Sequence, residues 1–343
     1  MMNSYQILKE IKQIVDKSKS FLITGQYNPD GDSIGAELAL YKILSVTKGD
    51  QNGTLGPEVV IDVVNEEPPP HRYRFLPNFQ AVKSLEEVQG RRYEVGFIVD
   101  GGRDRTGEVL PLLEKCDYTI NIDHHKSRLV STDTISWIEP HVSSTCELVF
   151  EFIDHPDWQI PLTPDIATCI YAGMIYDTGS FQFSSTSPRT HRIAARLLEA
   201  GISAWKISEE VLLSKSYAAL KLLTAVLSEV RRDPRGSILW SVITQKMLKE
   251  TGATSQDEEG IINQYNFVEG CEAAVLFKEL DKNKIKVSLR SRGKIDMGAI
   301  AKTLNPAGGG HERAAGCTLE GPMKEVQERV LKAVEKALYG SSY

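Results

Sequence analysis

Four short segments concentrate the side chains able to hold a cation or move a proton: NPDGDSIG at 28–35, VDGGRDRTG at 99–107, DHHKS at 123–127 and YDTGSF at 176–181. Asp30 and Asp32 stand two apart, a spacing that in an extended loop directs both carboxylates to one side. Carboxylates and imidazoles gathered in one cleft repel each other or lose solvation unless a cation neutralises them, and a pair of divalent metal ions does so efficiently. Mixed Asp oxygen and His nitrogen donors favour manganese or a similar transition metal over calcium, with magnesium or cobalt as further options. Two such ions, about 3.5–4 Å apart, lower the pKa of a bridging water and stabilise in-line displacement at phosphorus without a covalent enzyme intermediate. Each segment also has a plain structural role: Asp-Gly-Asp suits a turn, adjacent histidines occur on surface loops without any ligand, and Asp177 suits a helix end. The distinguishing feature is that all four stand just beyond an apolar segment.

Those segments define what must position the motifs. A helical pattern over 5–16 is followed by FLIT at 21–24, a helix after Asp32, VVIDVV at 59–64, VGFIVD at 95–100 and YTINID at 118–123. Such alternation predicts a parallel sheet wrapped by helices. In an open α/β sheet ligands bind outside the carboxyl ends of the strands, where loops from distant parts of the chain meet. The prolines at 68–70 predict a loop, and helices are expected over about 145–154, 165–176 and 189–200. One or two more are expected within 205–232. Strand-like runs at 238–244, 272–280 and 284–291, a glycine-rich turn and a closing helix over 322–339 complete the chain. The predicted fold is α/β: a Rossmann-like parallel-sheet domain over 1–204, a helical connector over 205–232 and a smaller mixed α/β domain over 233–343, with a cleft between the domains.

With 343 residues, 41% hydrophobic and 25% charged, the chain has the composition of a two-domain globular protein. The N-terminal segment carries lysines between its apolar residues and so lacks the apolar block of a signal peptide. No apolar run reaches the ~18–20 residues of a membrane span, and a cytoplasmic location is expected. Five scattered cysteines without a C-x-x-C pair argue against a disulfide framework and a thiolate zinc site, leaving buried thiols. A net charge of −6 disfavours long duplex nucleic acid, whose binding needs a large basic surface, but leaves short substrates open. A homodimer is compatible with this size, though no residue demands one.

In the C-terminal half, Gly308, Gly309 and Gly310 would let the backbone approach a phosphate and present N–H donors, and His311 can donate to an oxyanion. The alternative is a plain flexible turn. Arg290, Ser291 and Arg292, with Lys294 nearby, form a natural partner for a second phosphate or a terminal base, because the planar guanidinium binds oxygens in pairs.

In order, NPDGD, the aspartate of VDGG, the DHH triplet and YDTGSF resemble the successive motifs of the DHH phosphoesterases. That family includes RecJ-like exonucleases, NrnA-type oligoribonucleases that also act on 3′-phosphoadenosine-5′-phosphate, and cyclic-dinucleotide phosphodiesterases. KVSLRSRGKIDMGAIAKTLNPAGGGHERAAG resembles the family's associated C-terminal domain, so the likeness covers nearly the whole chain. Carried over by motif, it implies that Asp30 binds one metal ion and Asp32 the other, that Asp100 bridges them, and that His124 and Asp177 complete the second site. His125 would face the substrate phosphate, so Asp32, Asp100, His124 and His125 form the expected catalytic group. The family's first motif carries a histidine four residues before its first aspartate, where this chain has Gln26. A neutral amide oxygen is a harder and weaker ligand for a transition metal than an imidazole nitrogen. The departure implies a weaker or different ion beside Asp30 or, at the extreme, a one-metal protein. The resemblance therefore implies hydrolysis of dinucleotides and short oligonucleotides to monophosphates, with 3′-phosphoadenosine-5′-phosphate as a second substrate. Cyclic di-AMP cleavage is the nearest alternative, and a nucleotide sensor weakened at Gln26 the more distant one.

Overall fold

The computed structural model describes residues 3–50, 54–125, 133–281 and 283–340, so Lys126 and Ser127 of the DHHKS segment lie outside the described residues. Two compact units divide the chain, Met1–Ser214 and Lys215–Tyr343, and the expected connector over 205–232 is shared between them.

The first unit is built on strands β1 (Ser20–Thr24), β2 (Val60–Val64), β3 (Val82–Lys83), β4 (Val95–Val99), β5 (Tyr118–Asp123) and β6 (Ile135–Ile138). They lie in the order β3-β2-β1-β4-β5-β6, and every pairing is parallel. Every residue of β4 is buried, as expected for a strand covered on both faces. The strand order reverses between β1 and β4, which places a crevice for a ligand at their carboxyl ends.

Helices α1 (Ser4–Lys17), α2 (Gly31–Lys48), α3 (Leu110–Leu113), α4 (Thr145–Val149), α5 (Glu151–Asp154), α6 (Pro164–Asp177), α7 (Pro188–Glu199) and α8 (Ala204–Ser208) complete this unit. Helix α1 begins where the Asn3 side chain accepts from Gln6 N, and it buries Ile7, Leu8, Ile11, Ile14 and Val15 at helical spacing. Each such side chain contributes about 1.5–3 kcal/mol on leaving water. Helices α2 and α6 approach closely because two positions are glycine. A Cβ on Gly35 would lie 2.6 Å from the Cys169 carbonyl oxygen, and one on Gly173 would lie 2.3 Å from Cys146 Sγ and 2.8 Å from Asp32 Oδ1. That approach brings the helix carrying Asp32 against the helix that ends at Asp177.

The second unit is a mixed sheet of β7 (Arg231–Arg232), β8 (Ile238–Ile243), β9 (Ala273–Asp281), β10 (Lys284–Ser291), β11 (Gly309–Gly310) and β12 (Ala314–Glu320). Their order is β11-β12-β10-β9-β8-β7, with β8 and β9 parallel and the other pairs antiparallel. Helices α9 (Tyr217–Ser228), α10 (Gln245–Thr251), α11 (Ile261–Asn266), α12 (Met297–Leu304) and α13 (Met323–Tyr339) complete it. The alternating burial along β10 matches a sheet with one face on a core. Cys146, Cys169, Cys271 and Cys317 are buried free thiols and Cys116 is half-buried. Among the described residues no single helix is long and apolar enough to cross a membrane.

Candidate active site

Asp30 and Asp32 do not sit in an extended loop. Asp30 is the N-cap of α2, its Oδ1 accepting from Asp32 N at 3.0 Å and Ser33 N at 3.1 Å, so Asp32 falls in the first helical turn. The preference of Asp for capping overrides the extended spacing expected of the loop. Asp32 is fully buried, and its two oxygens accept from Thr145 N at 2.6 Å and Cys146 N at 2.9 Å at the start of α4. Asp100 follows β4 in the left-handed region with φ of 57°, uncommon for a side-chain-bearing residue and typical of functional positions. Its Oδ1 accepts from Thr145 Oγ1 at 3.2 Å.

His124 follows β5, with Nε2 3.1 Å from Asp177 Oδ2 and 3.6 Å from Asp100 Oδ1. Asp177 is the last residue of α6, followed by a turn in which Gly179, Ser180 and Phe181 all take positive φ and Ser180 N reaches back to Ile175 O at 2.7 Å. The first-unit site residues therefore come together: Asp32, His124 and Asp177 can offer their donor atoms within 4.8 Å of one another, as can Asp100, Asp123 and His125.

Asp123 was quoted in a motif but given no role by sequence reasoning, and the structure supplies one. Its Oδ1 accepts from His124 N at 2.8 Å, His125 N at 3.2 Å and His125 Nδ1 at 2.6 Å. Burial would raise the Asp123 pKa, but the hydrogen bond and charge of His125 and the charge of His124 hold it below its ordinary value. A carboxylate can only accept, so His125 Nδ1 carries the proton and the ring is fixed by Asp123. Thr145 and Arg105 also went unassigned; Arg105 lies inside the quoted VDGGRDRTG segment, whereas nothing in the sequence ties Thr145 to a site.

Gln26 is buried in the loop after β1. Its Nε2 donates to Asp30 Oδ2 and Asp100 Oδ2, both at 3.2 Å, and its Oε1 accepts from the Arg105 guanidinium. The amide oxygen that sequence reasoning offered to a metal is thus turned to an arginine.

The electrostatics of this cluster are unbalanced. Burial, then the charges of Asp177 and Asp32, raise Asp30 to about 7. Burial and the Asp177 charge raise Asp32 to about 6, against the opposing pull of His124 and two backbone N–H groups. Asp100 is raised well above its ordinary value by burial and by its carboxylate neighbours. Burial would lower His124, but the hydrogen bond and charge of Asp177 outweigh it and raise the imidazole to about 9. Among the described residues neither lysine nor arginine pairs with Asp30, Asp32, Asp100 or Asp177; their ionic partners are imidazoles. A divalent cation would supply the missing charge, and the Asp32, Asp100, His124 and Asp177 donors have the mixed oxygen and nitrogen chemistry that suits manganese, magnesium or a similar ion.

The residues expected from the sequence to bind substrate lie in the second unit. Arg290 is the next-to-last residue of β10 and donates from Nη1 to Leu289 O at 3.0 Å. Ser291 is buried, its Oγ accepting from Gly293 N at 3.0 Å, so it braces the turn that exposes Arg292 and Lys294. The glycine-rich segment forms strand pairs with β12, Gly309 opposite Gly316 and Gly310 opposite Ala315, where a plain flexible turn was the alternative. Two of its glycines are required by packing: a Cβ on Gly308 would lie 2.7 Å from Ala301 O, and Gly310 has φ of 139° with Ala314 O 2.5 Å from its would-be Cβ. Gly309 has room, its nearest neighbour being Lys302 Cε at 3.9 Å. His311 is exposed and closes the hairpin, its N donating to Ala314 O at 2.7 Å.

Comparison with known proteins agrees with this architecture. Residues 20–174 match the N-terminal domain of the DHH family and residues 239–340 match the DHHA1 domain. The chain is 29% identical over 325 residues to the bifunctional oligoribonuclease and PAP phosphatase NrnA of Thermus thermophilus, covering 94% of this chain and 91% of that one. It is 24% identical over 354 residues to the cyclic-di-AMP phosphodiesterase GdpP of Bacillus subtilis, covering 96% of this chain and half of that one. The crystal structure of an exopolyphosphatase-related protein from Bacteroides fragilis superposes with a TM-score of 0.85 at 26% identity, covering 97% of this chain and 95% of that one. With both domain models matched in order and the motif residues gathered at the strand ends, the chain belongs to the DHH family, carrying a DHH domain followed by a DHHA1 domain.

Proposed function

We propose that the protein is a divalent-metal-dependent phosphoesterase that hydrolyses dinucleotides and short oligonucleotides to nucleoside monophosphates and also accepts 3′-phosphoadenosine-5′-phosphate. One observation carries the reading: Asp32, Asp100 and Asp177, from three separate segments, converge on His124 without a lysine or arginine partner among the described residues. The likeness to the NrnA protein of Thermus thermophilus over nearly the full length of both chains supports the substrate class.

In this reading Asp32, Asp100, His124 and Asp177 hold a divalent ion, with manganese the first choice. A bound ion of this kind lowers the pKa of water and offsets charge on a phosphoryl group. The chain's own residues do the rest. Backbone N–H groups of Thr145 and Cys146 hold the Asp32 carboxylate in one orientation, a supporting role that typically contributes about 10–100-fold to metal affinity or activity. Asp123 holds the His125 ring so that Nε2, the nitrogen turned away from Asp123, meets the substrate phosphate. Arg290, Arg292 and the Gly308–His311 segment contribute to binding the rest of the nucleotide, with Ser291 bracing their turn. A short substrate fits the acidic balance of the chain, since few phosphates need neutralising.

The second reading is cyclic di-AMP hydrolysis, favoured by the likeness to GdpP. Purified protein supplied with manganese or magnesium is offered labelled di-, tri- and longer oligonucleotides, pApA, cyclic di-AMP and 3′-phosphoadenosine-5′-phosphate, with Asp32→Ala as the control. Cleavage of the dinucleotides to monophosphates, absent in the variant, is the expected result. Cleavage of cyclic di-AMP alone would replace it with the second reading, and survival of every substrate would remove the enzyme reading.

A further inference from the structure

The DHH family resemblance implies two metal ions, and the residues present fit one of them. Around Asp32, Asp100, His124 and Asp177 the donors are carboxylate oxygens and an imidazole nitrogen. Around Asp30 they are not. Asp30 Oδ1 is engaged by two backbone N–H groups as the cap of α2, and its Oδ2 accepts from Gln26 Nε2. The same Nε2 donates to Asp100 Oδ2. Where a ligand shared by these two carboxylates belongs, the chain places an N–H donor, which repels a cation.

The orientation of that amide follows from chemistry. Arginine has donors and no acceptor, so the Gln26 atom facing Arg105 must be the oxygen, and the nitrogen must face the carboxylates. Turning the amide over would set its N–H against the guanidinium and its oxygen against two carboxylates. The partners are also tied through the backbone, Tyr27 N donating to Arg105 O at 2.6 Å, so the loop bearing Gln26 and the turn bearing Arg105 are held together.

We propose that Gln26 and Arg105 take the place of one metal ion, leaving a centre that holds a single divalent ion per chain at Asp32, Asp100, His124 and Asp177. Gln26 is then a positioning residue: it links Asp30 and Asp100 by hydrogen bonds and relays to them the positive charge of Arg105. Asp30 becomes a helix cap, with no direct role in binding metal.

This inference rests on the reading that the acidic centre binds a divalent ion, and the test separates the two. The full-length protein is treated with chelator, reloaded with excess Mn2+, freed of unbound ion by gel filtration, and assayed for manganese per chain by mass spectrometry alongside its electron paramagnetic resonance spectrum. One ion per chain, with the spectrum of isolated Mn2+, is expected. Two ions with an exchange-coupled spectrum would overturn the inference and leave the metal-site reading standing; no bound ion would overturn both. Gln26→His is expected to raise the count to two, because imidazole exchanges the donor for an acceptor nitrogen. A folded Gln26→His protein that stays at one ion would overturn the assignment to Gln26. The wild-type count stands even where that variant fails to fold.

Discussion

Two groups of acids in the first unit behave in opposite ways. Asp62, in β2, is 1% exposed and receives Lys83 Nζ and Arg91 Nη1 at 2.5 Å and the Tyr93 hydroxyl at 2.7 Å. Burial alone would raise its pKa, yet these three partners hold it below the ordinary carboxyl value. Asp32 and Asp100 are as deeply set, Asp30 is half-buried beside them, and all three are raised. Burial is common to both groups; what differs is whether the protein provides the cation. Where it provides lysine and arginine, the acid is part of the scaffold. Where it provides only imidazoles, backbone N–H groups, a hydroxyl and an amide, the acids tend to hold their protons and the cluster suits a cation from outside.

Substitutions at the two groups should diverge. The largest effect expected is on activity: Asp32→Ala or Asp177→Ala removes a metal donor and should lower turnover of a dinucleotide by more than about 100-fold, the upper range for merely supporting partners of a metal. Asp62→Ala should leave the metal content unchanged. Next comes stability. Asp62→Asn should destabilise the protein in urea by about 3 kcal/mol, the low end for breaking a buried pair, since Lys83 and Arg91 remain partly in water. Asp100→Asn should do the reverse in the metal-free protein, stabilising it by roughly 1–2 kcal/mol, because burial and its carboxylate neighbours disfavour an ionised Asp100 and the amide carries no such cost. If both substitutions destabilise equally, the contrast between the groups collapses.

The pH dependence sharpens the same comparison. Asp30 and Asp32 titrate near 7 and 6 in the folded protein and near 4 when unfolded, so the folded state holds extra protons in between. Their contribution to stability is full below about pH 4 and is lost as pH rises through 6 and 7. The melting temperature of metal-free protein should therefore fall between pH 5 and 7.5, and saturating Mn2+ should flatten that fall. Asp62 works the other way, contributing above the ordinary carboxyl range and losing its contribution on acidification. A smaller effect is expected at Glu37, which burial pushes up to about 8 although Asn65 and Ser33 bond to it. It is neutral in the folded protein at pH 7 but ionised in the unfolded chain, so Glu37→Gln should stay within about 0.5 kcal/mol of wild type at pH 4, gain relative stability as pH rises from about 4.5 to 8, and level off above that.

Much of the catalytic half was legible in the sequence because each motif follows an apolar run, and runs such as VGFIV and YTINID form the central strands as expected. The positions of Asp100 and His124 at strand ends, and of Asp177 at a helix end, follow from that. Less legible was anything that depends on contact between distant segments. Residues 62, 83, 91 and 93 form no recognisable spacing, yet they make the Asp62 network. The Gln26 amide could be read as a weak ligand until Arg105 was found against its oxygen. In the second unit β12 escaped notice because AAGCTLE is rich in small residues, although it pairs with β10 along its whole length. Capping also misled the reading of NPDGD: an aspartate that suits an extended loop suits a helix start better.

Crowded carboxylates without a lysine or arginine partner among the described residues should bind a divalent ion directly. Calorimetric titration of Mn2+ into chelator-treated protein at pH 7, in buffers of different ionisation enthalpy, reads both binding and the protons released. Saturable binding with proton release, lost in Asp100→Asn, is the predicted result, because the ion displaces protons held by the raised carboxyls and His124. Absence of binding, or equal binding by Asp100→Asn, would contradict it.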